Sequence, residues 1–246
     1  MVHKHGGYEY FAKSLSKMRE AIILAGGFGT RLRKLVADVP KSMAPVAGRP
    51  FLEIVLSTLA EKGFSRVVLS LGFMAETIIS HFKDCYAGLE LEYVVEEKPL
   101  GTGGALRLAI TRCDSDHVYV FNGDTYLDLE VEDLECQWQD HHNPIIVGRE
   151  VPDATRYGRL IIDEGRVIGF AEKGVSGPGL INAGCYVLNH NQLDDFPLNE
   201  AFSFEIDYLT KAVNYQTIDI FITHGYFIDI GVPEDFHRAQ IEFAGH

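Results

Sequence analysis

Three glycines among four residues (Gly26, Gly27, Gly29), then Arg31, then Lys41 ten residues later, form the stretch best suited to chemistry in this chain. A short apolar run, Ala21 to Ala25, leads into them. Glycines let backbone N–H groups approach an anion with no Cβ in the way, and the two cations supply the charge that a polyphosphate needs. The spacing is that of neither a P-loop, which requires Gly-Lys-Ser/Thr, nor a dinucleotide fingerprint, which requires Gly-x-Gly-x-x-Gly. Two aspartates add a second kind of chemistry. Asp124 stands in Phe-Asn-Gly-Asp and Asp229 in Tyr-Phe-Ile-Asp-Ile-Gly, each closing an apolar run. A single strand-end Asp is more often a turn or cap. Two of them, completed by phosphate oxygens and water, make the octahedral oxygen set that Mg²⁺ prefers.

Apolar periodicity indicates which elements hold these residues. Ala21–Ala25 reads as a buried strand. Phe51, Leu52, Val55, Leu56 and Leu59 follow Pro50 at helical spacing and stop at Gly63. Val67–Leu71, Leu91–Val95 and Val118–Phe121 read as strands; Met74–Phe82 and Gly103–Ile110 read as helices. Strand–helix alternation implies βαβ crossovers, and so a Rossmann-like, mostly parallel sheet flanked by helices, in an α/β fold. Ligands of such sheets bind beyond the C-terminal strand ends, where residues 26–31, 96–104 and 123–124 all fall. The second half differs. Residues 157–163 and 166–173 flank Glu164-Gly165 as a hairpin, 181–188 is a strand, and 204–213 is a helix. Residues 218–222 and 226–230 are short strands, and a last helix runs from Pro233 to Phe243. These read as antiparallel additions to the parallel core. Residues 1–19 are expected to be a peripheral N-terminal extension, and 20–246 a single domain.

Composition narrows the classes. With 22 basic and 35 acidic residues the net charge is −13, and no long Lys/Arg run occurs, so a nucleic-acid partner is not expected. Cys85, Cys113, Cys136 and Cys185 lie far apart, which suits neither a zinc site nor a disulfide framework and fits a reducing cytosol. No apolar run approaches the ~18 residues of a membrane span, and the first residues lack the apolar core of a signal peptide. A cytoplasmic protein without a membrane partner is the expectation.

Leu24-Ala25-Gly26-Gly27-x-Gly29-Thr30-Arg31-Leu32 followed by Pro40-Lys41 resembles the signature of the sugar-1-phosphate nucleotidyltransferases, and the resemblance runs from Ala21 to about Phe236. Ser42 departs from it, standing where many relatives have a second proline. The resemblance implies a GT-A-like nucleotidyltransferase fold. It implies an enzyme that joins a nucleoside triphosphate to a sugar 1-phosphate, releasing pyrophosphate. Leu24, Ala25, Gly26, Gly27, Gly29 and Thr30 would then cradle the nucleotide together with Asn122 and Gly123, Arg31 would meet the β- and γ-phosphates, and Lys41 the α-phosphate. Asp124 and Asp229 would hold Mg²⁺. Glu96-Glu97, with Gly101 and Thr102, resembles the base-reading loop. A carboxylate there can accept from guanine's ring N–H and amino group, where adenine presents an acceptor; uracil and thymine also present an N–H. Tyr157, Gly158, Glu172, Lys173 and Asn182 match the sugar-phosphate pocket, with Lys173 also gripping the reacting phosphate.

The runs Gly179-Leu-Ile-Asn-Ala-Gly-Cys-Tyr-Val-Leu, Phe202-Ser-Phe-Glu and Tyr226-Phe-Ile-Asp-Ile-Gly-Val-Pro-Glu-Asp look most like the D-glycero-D-manno-heptose 1-phosphate guanylyltransferases. These supply GDP-heptose for capsule and lipopolysaccharide synthesis. GTP and a sugar 1-phosphate are therefore the expected substrates, while enzymes using mannose, glucose or N-acetylmuramate 1-phosphate share most of the motifs. A non-catalytic sensor of the same fold would not need Arg31, Lys41, Asp124 and Asp229 together. A glycosyltransferase would favour Asp-x-Asp, where this chain has Asp-Thr-Tyr-Leu-Asp. The oligomeric state is left open, a homodimer being the assembly considered.

Overall fold

The computed structural model describes residues 18–27, 32, 36 and 38–245. Its strands are β1 (Arg19–Leu24), β2 (Pro45–Val46), β3 (Arg49–Pro50), β4 (Phe64–Leu71), β5 (Cys85–Tyr86), β6 (Leu89–Val95) and β7 (His117–Asn122) in the first half. The second half adds β8 (Thr125–Leu127), β9 (Ile145–Val151), β10 (Leu160–Asp163), β11 (Arg166–Phe170), β12 (Gly179–Asn189), β13 (Asp219–Thr223) and β14 (Phe227–Asp229). The helices are α1 (Phe51–Glu61), α2 (Ala75–Phe82), α3 (Gly101–Ile110), α4 (Val131–His141), α5 (Thr210–Ala212) and α6 (Pro233–Glu242). A 3-10 turn covers Lys41–Met43.

The large sheet has the order β10-β11-β13-β9-β12-β7-β1-β4-β6-β5. From the pairings, β10, β13, β9, β7, β1, β4 and β6 run one way, and β11, β12 and β5 the other. The parallel block β7-β1-β4-β6 is the alternating first half of the chain. The antiparallel pairings that link β12 to β7 and β9 belong to the second. β1 is central because both its faces are apolar. Ala21 and Ile23 enter one core with α1, α2, α4 and α6, while Ile22 enters the other with α3 and α5. A strand alternates faces residue by residue, so only a continuous apolar run can serve two helical layers. β1 begins at Arg19, so the strand takes in the last residue assigned to the extension; residues 1–17 lie outside the described residues.

The hairpin at Glu164-Gly165 forms as β10–β11. The helix expected over 204–213 opens as π-helical turns (Phe204–Leu209) and becomes α-helical only at α5. Ser203 caps it, its Oγ accepting from Ile206 N at 3.2 Å while its own N–H donates to Asp207 at 2.7 Å. Among the described residues no helix is long and apolar enough to cross a membrane.

Candidate active site

The parallel register brings the strand ends together. Leu24 lies opposite Ser70 on one side and Asn122 on the other. Beyond the strands the exits are tied by backbone bonds: Ala25 N donates to Ser70 O at 2.8 Å, Gly123 N to Leu24 O at 2.9 Å, and Glu96 N to Leu71 O at 2.9 Å. A cavity of about 350 Å³ opens there. Of the residues expected at the nucleotide, Leu24, Ala25, Gly26, Gly27, Lys41, Glu96, Gly101, Thr102, Asn122, Gly123 and Asp124 line it. Gly29, Thr30 and Arg31 lie outside the described residues. Glu97 is exposed and does not line the cavity.

Ser42 and Ser70 also line it, and sequence reasoning did not name them as contacts. Both are buried, and their hydroxyls have no hydrogen-bond partner among the described residues. Buried polar groups are normally satisfied, so a ligand accepting from these hydroxyls would complete them. No local signal marks them; they are identified by where the strand ends meet.

At the cavity's edge, Lys41 Nζ donates to Asp124 Oδ2. The 3-10 turn that follows Pro40 holds Lys41, with Met43 N donating to Pro40 O at 2.8 Å. Asp124 leaves the end of β7, and Asp229 closes β14, which pairs with β8 so that Asp229 lies opposite Thr125. Ile230 N donates to Asp124 O at 2.9 Å, fixing one carboxylate's strand to the other's. Burial, and after it the charge of Asp124, pushes the Asp229 carboxyl above its ordinary value, while a 2.6 Å bond from Gly231 N, Lys41 and Arg156 oppose this. The two aspartates that the sequence placed 105 residues apart therefore share one field. Among the described residues no group of three or more His, Cys, Asp or Glu surrounds a metal-sized centre, so a cation between these carboxylates would complete its shell from phosphate oxygens and water.

Glu96 joins two walls. Its Oε2 accepts from Leu100 N at 2.7 Å, ahead of α3, and a Cβ at Gly26 would come within 2.6 Å of Oε1. Burial raises this carboxyl above its ordinary value, with the Leu100 bond opposing. Gly101, which lines the cavity, has φ +67°, and a Cβ there would meet Phe202 O at 2.6 Å, so the neighbouring 200–204 segment also requires glycine here. The same segment is tied down by Gly103 N donating to Phe202 O at 2.9 Å and Phe204 N donating to Thr102 Oγ1 at 3.0 Å.

The residues expected at the sugar phosphate lie outside this cavity lining. Tyr157 and Gly158 are half-buried, and the Tyr157 ring meets Phe227 of β14 edge-on at 6.3 Å, close to Asp229. Asn182 sits at the irregular start of β12, donating to Tyr186 Oη at 2.8 Å. Glu172 and Lys173 are exposed beyond β11 and do not line this cavity.

One cavity thus gathers the glycine-rich exit of β1, the Lys41 cation and the carboxylates of Glu96 and Asp124. The sequence profile described as Nucleotidyl transferase matches residues 20–244. The chain belongs to the nucleotidyl transferase family. A D-glycero-alpha-D-manno-heptose 1-phosphate guanylyltransferase from Aneurinibacillus thermoaerophilus is 39% identical over 227 residues, 91% of this chain and 97% of that protein. Its namesake in Campylobacter jejuni is 39% identical over 223 residues, 90% of this chain and 99% of that protein. The crystal structure of HddC from Yersinia pseudotuberculosis complexed with GMP-PN superposes with a TM-score of 0.83 at 39% identity, covering 92% of this chain and 100% of that one. The fold of this nucleotidyl transferase is thus the α/β architecture expected from its strand–helix alternation.

Proposed function

We propose that this nucleotidyl transferase moves the guanylyl group of GTP onto D-glycero-alpha-D-manno-heptose 1-phosphate, giving GDP-heptose and pyrophosphate. The observation that carries the reading is the convergence, at one cavity, of the Gly26-Gly27 strand exit, Lys41 paired to Asp124, and Glu96. The choice of guanine and heptose is supported by the names of the relatives above, and for guanine also by a carboxylate on the base wall.

The reacting nucleophile is an oxygen of the sugar phosphate, whose second pKa of ~6 leaves it largely ionised near neutrality. No general base is required. That oxygen bonds to the α-phosphorus as the bond to the β-bridging oxygen breaks, and the electron pair leaves with pyrophosphate. The task of the chain is alignment of two anions and neutralisation of their charge. Gly26 and Gly27 offer close backbone approach to the triphosphate. Lys41, already turned to the cavity's edge, places a cation at the transferring phosphate. Glu96 can accept from the guanine edge with the oxygen not committed to Leu100. Asp124 and Asp229 suit Mg²⁺: both are hard oxygen donors, and the strain of holding two carboxylates in one field is relieved by a cation between them. When bound by these two carboxylates, Mg²⁺ would supply charge neutralisation for the phosphate oxygens. Tyr157, Gly158, Glu172, Lys173 and Asn182 are proposed for the sugar phosphate, which requires the exposed Glu172-Lys173 segment to meet substrate from outside the cavity.

The test is a matrix of each nucleoside triphosphate with heptose, mannose, glucose and N-acetylmuramate 1-phosphates, read by pyrophosphate release with Mg²⁺. GTP with the heptose phosphate should dominate. A preference for UTP, dTTP or CTP would refute the guanine assignment, and a preference for mannose 1-phosphate would refute the heptose.

A further inference from the structure

Resting on that reading, we propose that Arg156, anchored by Asp235, is a positioning residue that fixes Tyr157 so that its phenol proton is offered to an oxygen of the sugar 1-phosphate. Arg156 Nη2 donates to Tyr157 Oη at 2.9 Å, and its guanidinium carbon lies 5.2 Å from the Tyr157 ring centroid. A guanidinium is protonated at every working pH and has only donors. The phenol oxygen must therefore act as acceptor toward Arg156, and its own proton has to point to a different acceptor. Accepting from a cation polarises the O–H bond and makes it a better donor to an anionic or hydroxyl oxygen.

The same Arg156 nitrogen donates to Asp235 Oδ2. Asp235 is 6% exposed, lies in the first turn of α6, and accepts on its other oxygen from Arg238 Nη1 at 3.0 Å. Asp235 is thus a buried carboxylate at a helix N-terminus that accepts from two half-exposed guanidiniums, which ties Arg156 to α6. The Tyr157 ring also meets Phe227 edge-on, two residues before Asp229. Asp235, Arg156, Tyr157 and Phe227 of β14 are thus linked by successive contacts. Burial first, and the field of Asp229 second, raise the Tyr157 phenol and keep it in the protonated form that can donate.

Arg156 is far from Asp235 in sequence, 79 residues away, and neither lines the nucleotide cavity. Its loss should therefore fall on one substrate. Steady-state pyrophosphate release by Arg156→Lys, Tyr157→Phe and the double variant, varying each substrate in turn, tests this. Lysine keeps the charge but cannot reach both partners with one fork. Each single variant should raise KM for the sugar 1-phosphate about tenfold, the equivalent of one charge-assisted hydrogen bond, with KM for GTP little changed. The double variant should be no worse than the more damaging single one, because both remove the same phenol contact. Thermal melting of each variant accompanies the kinetics. An unchanged sugar-phosphate KM in either single variant would overturn the inference, as would multiplicative effects in the double variant. KM values for both substrates rising together in step with a lost melting temperature would mark the pair as purely structural, and would overturn it too. A wild type that releases no pyrophosphate with any sugar 1-phosphate would overturn the function reading and this inference with it.

Discussion

Replacing Glu135 by Gln should remove a pH-dependent clamp between α4 and β7, the strand whose far end carries Asp124. The Glu135 carboxylate accepts from Tyr119 Oη at 2.6 Å, Gln139 Nε2 at 2.8 Å and His117 Nε2 at 3.2 Å. The His117 ring also stacks on Trp138, 3.7 Å between centroids. Burial alone would raise the Glu135 carboxyl, but the bonds from His117, Tyr119 and Gln139 hold it down at about 2 instead of 4.5. That displacement corresponds to about 3 kcal/mol at 1.36 kcal/mol per tenfold. Burial would lower the His117 imidazole, but its bonds to Glu135 and Asp116 raise it on balance. A depressed carboxyl contributes stability above its ordinary value of 4.5 and loses it as the pH falls toward 2. A raised imidazole contributes below its ordinary value of 6.5 and loses it as the pH rises through the folded value. Both contributions are complete only between these ordinary values. Urea denaturation of wild type and Glu135→Gln across the pH range should show the largest gap, about 3 kcal/mol, near pH 5–6. The gap should close toward pH 2. A gap that stays constant with pH, or one below about 0.5 kcal/mol throughout, would refute the reasoning.

Three further outcomes follow from the site. Lys41→Ala should reduce turnover by roughly two to three orders of magnitude, the usual loss for one group stabilising developing charge. The melting temperature should barely move, because its ion pair with Asp124 is partly exposed; stopped-flow or steady-state pyrophosphate release checks the first and calorimetry the second. Glu96→Gln should raise KM for GTP about tenfold while leaving the sugar phosphate KM alone, since an amide presents the base edge with a weaker acceptor. Gly101→Ala should lower stability by about 1–2 kcal/mol through its left-handed backbone alone, with a further cost from displacing the Phe202 carbonyl, read by denaturant titration.

Much of the parallel half was legible because its signals are local. The run through Ile22 and Ile23, the break at Gly26, and the matching ends at Val95 and Asn122 define strand exits before any contact is known. α4 and β9 were not read, for physical reasons. Only Val131, Leu134 and Trp138 of α4 are buried, so its apolar stripe is narrow and set among acids. The apolar run of β9 lasts only from Ile145 to Val147 before Gly148, and it is stabilised by pairing with β12 and β13. Within the site, Lys41 and Asp124 were named in advance from residue type and spacing, and Glu96 from the resemblance to a base-reading loop. The packing of Gly101 against Phe202 was not, because a positive φ and a crossing segment leave no trace in composition. The pairing of Arg156 with Asp235 was equally silent, since each looks like an ordinary surface charge until the fold brings them together.

The central claim is that a sugar-phosphate oxygen attacks the α-phosphorus of GTP in the cavity built by Gly26, Lys41 and Asp124. Heptose 1-phosphate carrying isotopically labelled phosphoryl oxygens, incubated with GTP and Mg²⁺, tests it directly by mass spectrometry of the products. GDP-heptose retaining all of the label, with equimolar unlabelled pyrophosphate, is the predicted result. Label in the pyrophosphate, or GMP and pyrophosphate with no GDP-heptose, would contradict it.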